Sequence, residues 1–130
     1  MVEKVVEVGI LFDFYGKLLS SRQISVIELF YIHDLSLAEI GEELDITRQG
    51  VYDTLKRAEK KLYEYEENLG LVHEFKKNTL AIKSIIEISR DILTILKDKD
   101  KIASKDILFK IEKIENTGRK ILKNSREVGN

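Results

Sequence analysis

Apolar residues recur along this chain at spacings of three and four, the repeat of one buried helix face. Val5, Val8, Phe12 and Tyr15 predict a first helix over roughly residues 3–18, with Leu11 and Leu19 widening its stripe. A helix over about 21–33 then buries Ile24, Ile27 and Tyr31 or their neighbours, and a short one over 37–44 buries Leu37, Ile40 and Leu44. The fourth, over 48–69, carries Val51, Leu55, Ala58, Leu62, Tyr65 and Leu69 at 4, 3, 4, 3 and 4, a heptad-type seam. A fifth, over about 72–97, is apolar on more than one face (Ile82, Ile85, Ile86, Ile88, Ile92, Leu93, Ile95, Leu96), so it needs cover from other helices or a second subunit. A sixth places Ile107, Ile111, Ile114 and Ile121 in register, with Gly118 at the missing position marking close approach or a break.

Polar punctuation agrees with these boundaries. Ser20 with Gln23, and Ser36 with Glu39, spell two capping boxes, in which the serine hydroxyl takes a first-turn amide and the third residue reaches back to the cap N–H. Thr47 is an N-cap, Gly70 a left-handed stop, and Ser104 a cap for the last helix. Asp98, Lys99, Asp100 and Lys101 form a charged, exposed link, and the tail after Ser125 is expected to fray.

Composition sharpens the picture. The 130 residues contain no proline and no cysteine, which favours long uninterrupted helices and removes disulfides, thiolate ligands and cysteine nucleophiles. The fold class is all-α. No apolar run reaches the ~18 residues of a membrane span and no signal peptide opens the chain, so a soluble cytoplasmic protein is expected. The net charge of -1 conceals a division: residues 1–70 hold 8 Lys+Arg and 14 Asp+Glu (-6), and residues 71–130 hold 14 and 9 (+5). Two segments follow: 1–70, an N-terminal helix with a helix-turn-helix, and 71–130, a basic helical extension that packs on it or on a partner subunit.

The most informative stretch is 36–55, SLAEIGEELDITRQGVYDTL, two capped helices joined by a tight turn. Gly41 lets the helices cross closely, and Ile40, Leu44, Ile46, Val51 and Leu55 fill the wedge. Asp45 stands where a glycine is usual, and aspartate tolerates the left-handed conformation.

Residues 22–62 resemble the promoter-reading fourth region of bacterial sigma factors. FYGKLLSSRQ, ELFYIHDLSLAEIGEEL, TRQGVYDTLKRAE and LYEYEENLGL resemble more closely the YlxM family of small helix-turn-helix proteins. The resemblance covers a little under half the chain. It implies a bacterial, cytoplasmic, dimeric protein without known enzymatic activity. It also implies an association with the signal recognition particle pathway, chiefly because the family's genes lie beside that of the particle's GTPase. That GTPase, its receptor or its RNA are the partners it implies.

In a sigma-like module the second helix enters the major groove by its N-terminal residues. The outward positions here are Arg48, Gln49, Tyr52, Asp53 and Lys56, then Arg57, Lys60 and Lys61. Arg48 has the donors for guanine and Gln49 the bidentate amide for adenine, while Lys56, Arg57, Lys60 and Lys61 suit phosphates. Five basic and two acidic residues between Thr47 and Lys61 give +3 locally. Against DNA stand Gly50 and Tyr52 where sigma factors carry longer polar side chains, Asp53 on the same face, and the Glu39, Glu42, Glu43 cluster. Duplex affinity rests largely on phosphate neutralisation, so a -6 segment is a poor start. A solvated ion-pair face with Asp53, Glu59 and Glu64 explains the same lysines.

Other chemistries find little support. His33 and His73 stand alone, without a second His or Cys at metal-ligand spacing, and no Gly-rich phosphate loop or nucleophile pattern is present. No cofactor, metal or catalytic residue is expected. The lysines of residues 71–130 lack an aromatic series for stacking RNA, and pairing with the acidic segment explains them more simply. The expected function is a non-enzymatic regulatory helix-turn-helix protein acting through protein or RNA contacts. The alternatives are a sequence-specific DNA-binding regulator and a structural dimerisation module.

Overall fold

The computed structural model describes residues 2–97 and 104–129, and side chains up to residue 123 with the exception of Ser104. Helices α1 (Val2–Tyr15), α2 (Ser21–Ile27), α3 (Leu37–Leu44), α4 (Arg48–Leu69), α5 (Leu71–Lys97) and α6 (Ser104–Gly129) succeed one another, with no strand among the described residues. The chain is all-α. It forms two compact units, Met1–Val72 and His73–Asn130.

The core of the first unit is built from α1 (Val8, Leu11, Tyr15), Leu19, α2 (Val26, Ile27), α3 (Ile40), α4 (Val51, Leu55, Ala58, Leu62) and Val72. α4 is the common floor, packed by α1, α2 and α3 alike. Its seam is shorter than the heptad pattern implies: Tyr65 is half-buried and Leu69 is 51% exposed. Val5 of α1 is also exposed, so its buried stripe is Val8, Leu11 and Tyr15.

Two helices end differently from the sequence expectation. α1 stops at Tyr15 and tightens into a 3-10 turn, Gly16–Leu18, whose Leu18 carbonyl accepts the Tyr65 hydroxyl at 3.3 Å. α2 widens into a π turn, Glu28–Ile32, closed by His33 N–H donating to the Glu28 carbonyl at 3.0 Å. Asp34 at φ 58° then lets Leu35 N–H donate back to the Leu29 carbonyl at 3.0 Å. A single π turn adds only one residue to the helical repeat, so a three-and-four pattern reads through it.

Both capping boxes are formed: Ser20 accepts from Gln23 N–H while Gln23 accepts from Ser20 N–H, and Ser36 and Glu39 do the same. Between α3 and α4 the turn is set by Asp45 in the left-handed region, φ 55°. Its N–H and that of Ile46 both donate to the Gly41 carbonyl, and Thr47 Oγ1 accepts from Gly50 N–H at 2.9 Å. Arg22 of α2 donates to the Leu44 carbonyl at 3.4 Å, closing an open C-terminal acceptor of α3.

α5 starts under two side chains from the first unit. Leu71 N–H donates to the Tyr15 hydroxyl at 3.0 Å and Val72 N–H to Glu66 Oε1 at 2.9 Å, after Gly70 ends α4 at φ 64°. Within the second unit, Ile85, Ile88, Ile92 and Ile95 of α5 and Ile107, Ile114 and Ile121 of α6 are half-buried, and Lys110 pairs with Asp91 at 3.2 Å. Ile111, four residues after Ile107, falls outside that face and is exposed. α6 continues to Gly129 rather than fraying after Ser125. The charged link at 98–101 and the Ser104 cap lie outside what is described.

Gly41 should tolerate no side chain. A Cβ there would stand 2.7 Å from the Ile46 carbonyl oxygen, which is backbone and cannot rotate away. Overpacking of about 3 kcal/mol, less about 1 kcal/mol of improved helix propensity, leaves Gly41→Ala roughly 2 kcal/mol less stable by denaturant unfolding.

Candidate functional site

The α3–turn–α4 module fixes the candidate residues from its capped start. Thr47 holds the first amides of α4, and Arg48 and Gln49 follow, both exposed. Helical spacing then divides the outward residues. Gln49, Asp53, Lys56 and Lys60, separated by 4, 3 and 4, make one stripe with Tyr52 beside it, and Arg57 and Lys61, four apart, make its other flank. The helix therefore brings Gln49, Asp53, Lys56 and Lys60 onto one stripe, with Tyr52 on one side of it and Arg57, then Lys61, on the other.

The first stripe is largely occupied with its own contacts. Gln49 Nε2 donates to Asp53 Oδ1 at 3.0 Å, Lys56 Nζ lies 3.5 Å from Glu59 Oε2 and 5.5 Å above the Tyr52 ring, and Lys60 Nζ is 4.0 Å from Glu64. The amide of Gln49, the adenine-reading candidate, thus faces a carboxylate on its own helix. Arg48, Arg57 and Lys61 form no ion pair among the described residues.

Glu59 corrects the sequence picture of a solvated ion-pair face. It is 6% exposed, a buried carboxylate at the meeting of three elements. Tyr31 of the π turn donates to one of its oxygens, and the ammonium groups of Lys4 and Lys56 each lie 3.5 Å from the other. A buried carboxylate stripped of its partners costs several kcal/mol, so Lys56 belongs in part to the fold. No local pattern announces this site, because Lys4 and Tyr31 reach Glu59 only once α1 and the π turn pack on α4.

Two further tyrosine–carboxylate pairs tie α1 to α4. Tyr15 donates to Glu66 Oε1 at 2.6 Å, and Tyr63 to Glu7 Oε2 at 3.0 Å. Burial pushes all three phenols above their ordinary value, and the carboxylate each one faces pushes the same way. Glu39 is held below the usual carboxylate range by the Ser36 backbone N–H and then by the Ser36 side chain. His33 and His73 are both exposed, and no group of three His, Asp or Glu side chains close enough to hold a metal ion occurs among the described residues. No described helix is long and apolar enough to cross a membrane.

Capped helices crossing at Gly41, a left-handed turn and a second helix with an outward N-terminal face define a helix-turn-helix protein. Residues 2–107 match the model of the UPF0122 family, described as "Putative helix-turn-helix protein, YlxM / p13 like", and the chain belongs to that family. The UPF0122 protein of Acetivibrio thermocellus is 41% identical over 111 residues, 85% of this chain and 92% of that one. That of Desulforamulus reducens is 49% identical over 82 residues, covering 63% of this chain and 70% of its own. That of Thermoanaerobacter sp. (strain X514) is 55% identical over 85 residues, covering 63% and 73%.

The raised phenols set a sign for alkaline behaviour. A phenol raised in the folded state contributes stability that is complete below its unfolded value near 10 and is lost as pH rises through the folded value. The denaturant midpoint should therefore fall between pH 9 and pH 11. Tyr31→Phe, less stable at pH 9 for lack of the Glu59 bond, should show a shallower fall over the same interval.

Proposed function

We propose that the protein is a non-enzymatic, cytoplasmic regulator that uses its helix-turn-helix on a protein or RNA partner in the signal recognition particle pathway. The observation carrying this reading is the state of the outward face of α4. Asp53 stands in its centre, two of its lysines are engaged with Glu59 and Glu64, and Glu39, Glu42 and Glu43 are exposed on the preceding helix. With Lys56 and Lys60 paired, the face offers phosphates only Arg48, Arg57 and Lys61, and each lost phosphate contact weakens duplex binding. A partner surface with its own donors and apolar groups suits the mixture of Tyr52, Gln49 and Asp53 better. The pathway itself comes from the resemblance to the YlxM family.

A second reading, a sequence-specific DNA-binding regulator, is favoured by Arg48, Arg57 and Lys61, which keep their charges free at the start and along one flank of α4.

The particle's GTPase, with its receptor and RNA, provides the test. The full chain should be retained by at least one of them, or change the GTPase rate, at micromolar concentration, and Tyr52→Ala with Gln49→Ala should weaken the effect about tenfold. Absence of both binding and rate change sinks the pathway assignment.

A further inference from the structure

Two glycines lie in the middle of helices in the first unit, and only one of them has a reason inside the chain. A glycine within a helix sacrifices stability relative to alanine, because it has more backbone freedom to lose. At Gly41 the Ile46 carbonyl leaves no room for a side chain. At Gly9 of α1 nothing lies within 4 Å of a Cβ, and φ is not positive. Gly9 instead lines an apolar cleft of about 280 Å³ between α1 and the π turn, walled by Val6, Ile10, Ile27 and Ile32. Val6 and Ile32 are 56% and 63% exposed on its rim, and Asp13 is the only charged residue of the lining. A bare stretch of backbone in a helical wall lets another helix approach closely.

The second unit carries a face that complements this groove. Ile82, Ile86, Leu93 and Leu96 of α5 are all exposed, at spacings of 4, 7 and 3. Beside them Lys76, Lys83, Arg90 and Lys97 stand seven residues apart, all exposed, so one cation accompanies every two turns of an apolar seam. The groove side is acidic, with Asp13 in the lining and Glu3 exposed beside it on α1, while Lys4 is engaged with Glu59.

We propose that the α1 groove is the seat of α5 from a second copy of the chain, each copy's α5 lying in the other's groove. Charge and shape agree: an apolar groove with an acidic rim, opened at Gly9, faces an apolar helix flanked by cations seven residues apart. Because every copy holds both surfaces, reciprocal docking closes a two-fold dimer and leaves neither surface open, whereas one-way docking would propagate a filament. This inference is independent of which partner the helix-turn-helix contacts.

Sedimentation of the full chain from 1 to 100 μM, alongside thermal melts, provides the test. The chain should be a dimer that weakens with salt. Gly9→Leu and Ile86→Asp should each raise the dissociation constant at least tenfold while the monomer stays folded. Gly9→Ala should weaken pairing and yet, below the dissociation constant, melt about 4 °C higher, since alanine is the better helix former. Lys83→Glu with Arg90→Glu should dissociate the dimer, and Glu3→Lys with Asp13→Lys should restore it. A monomer at 100 μM, a dimer indifferent to Gly9→Leu, or a dimer lost on Ile86→Asp but not on the groove substitutions would overturn the proposal.

Discussion

The whole helix-turn-helix depends on one close approach, that of Gly41 to the backbone of the turn. The Gly41 carbonyl takes the N–H groups of Asp45 and Ile46, and the Ile46 carbonyl occupies the space a side chain on Gly41 would need. That packing sets where Thr47 caps α4 and hence which residues of α4 face outward. The turn accepts a left-handed aspartate at position 45, where glycine would be free of strain.

α4 is held from the other side by three tyrosine–carboxylate pairs: Tyr15 with Glu66, Tyr31 with Glu59, and Tyr63 with Glu7. Each joins elements distant in sequence, and the first two satisfy polar groups that burial would otherwise penalise. The Glu59 pair has a functional side. By drawing in Lys4 and Lys56 it takes a cation from the outward stripe, so the fold and the candidate interface compete for the same side chain. The first pair also sets where α5 begins, since Tyr15 and Glu66 receive its opening amides.

Local signals were legible in the sequence. The bounds of α3 and α4, the two capping boxes, Thr47, Gly41 and the stop at Gly70 follow from residues within four positions of one another. Long-range chemistry was not. Glu59 reads as one more acid on a charged helix until Lys4 and Tyr31 arrive from elsewhere, and Tyr15 reads as a stripe residue although its hydroxyl organises the α4–α5 junction. The π turn escaped because it keeps apolar residues close to helical spacing while shifting the chain that follows. The loose spread of lysines after residue 71 resolves on α5 into a row of cations seven residues apart.

The chain is thus a helix-turn-helix protein of the UPF0122 family whose outward face has two of its five cations, Lys56 and Lys60, in internal pairs. On the function proposed above, this face meets a protein or RNA partner and does not grip a DNA duplex. Titration of the full chain with random-sequence duplexes at physiological salt, followed by selection for retained sequences, tests it most directly. The account predicts dissociation constants no tighter than roughly the 10⁻⁶ M limit of non-specific binding, with no sequence enriched. An enriched site bound near 10⁻⁸ M, and lost in Arg48→Ala, would contradict it.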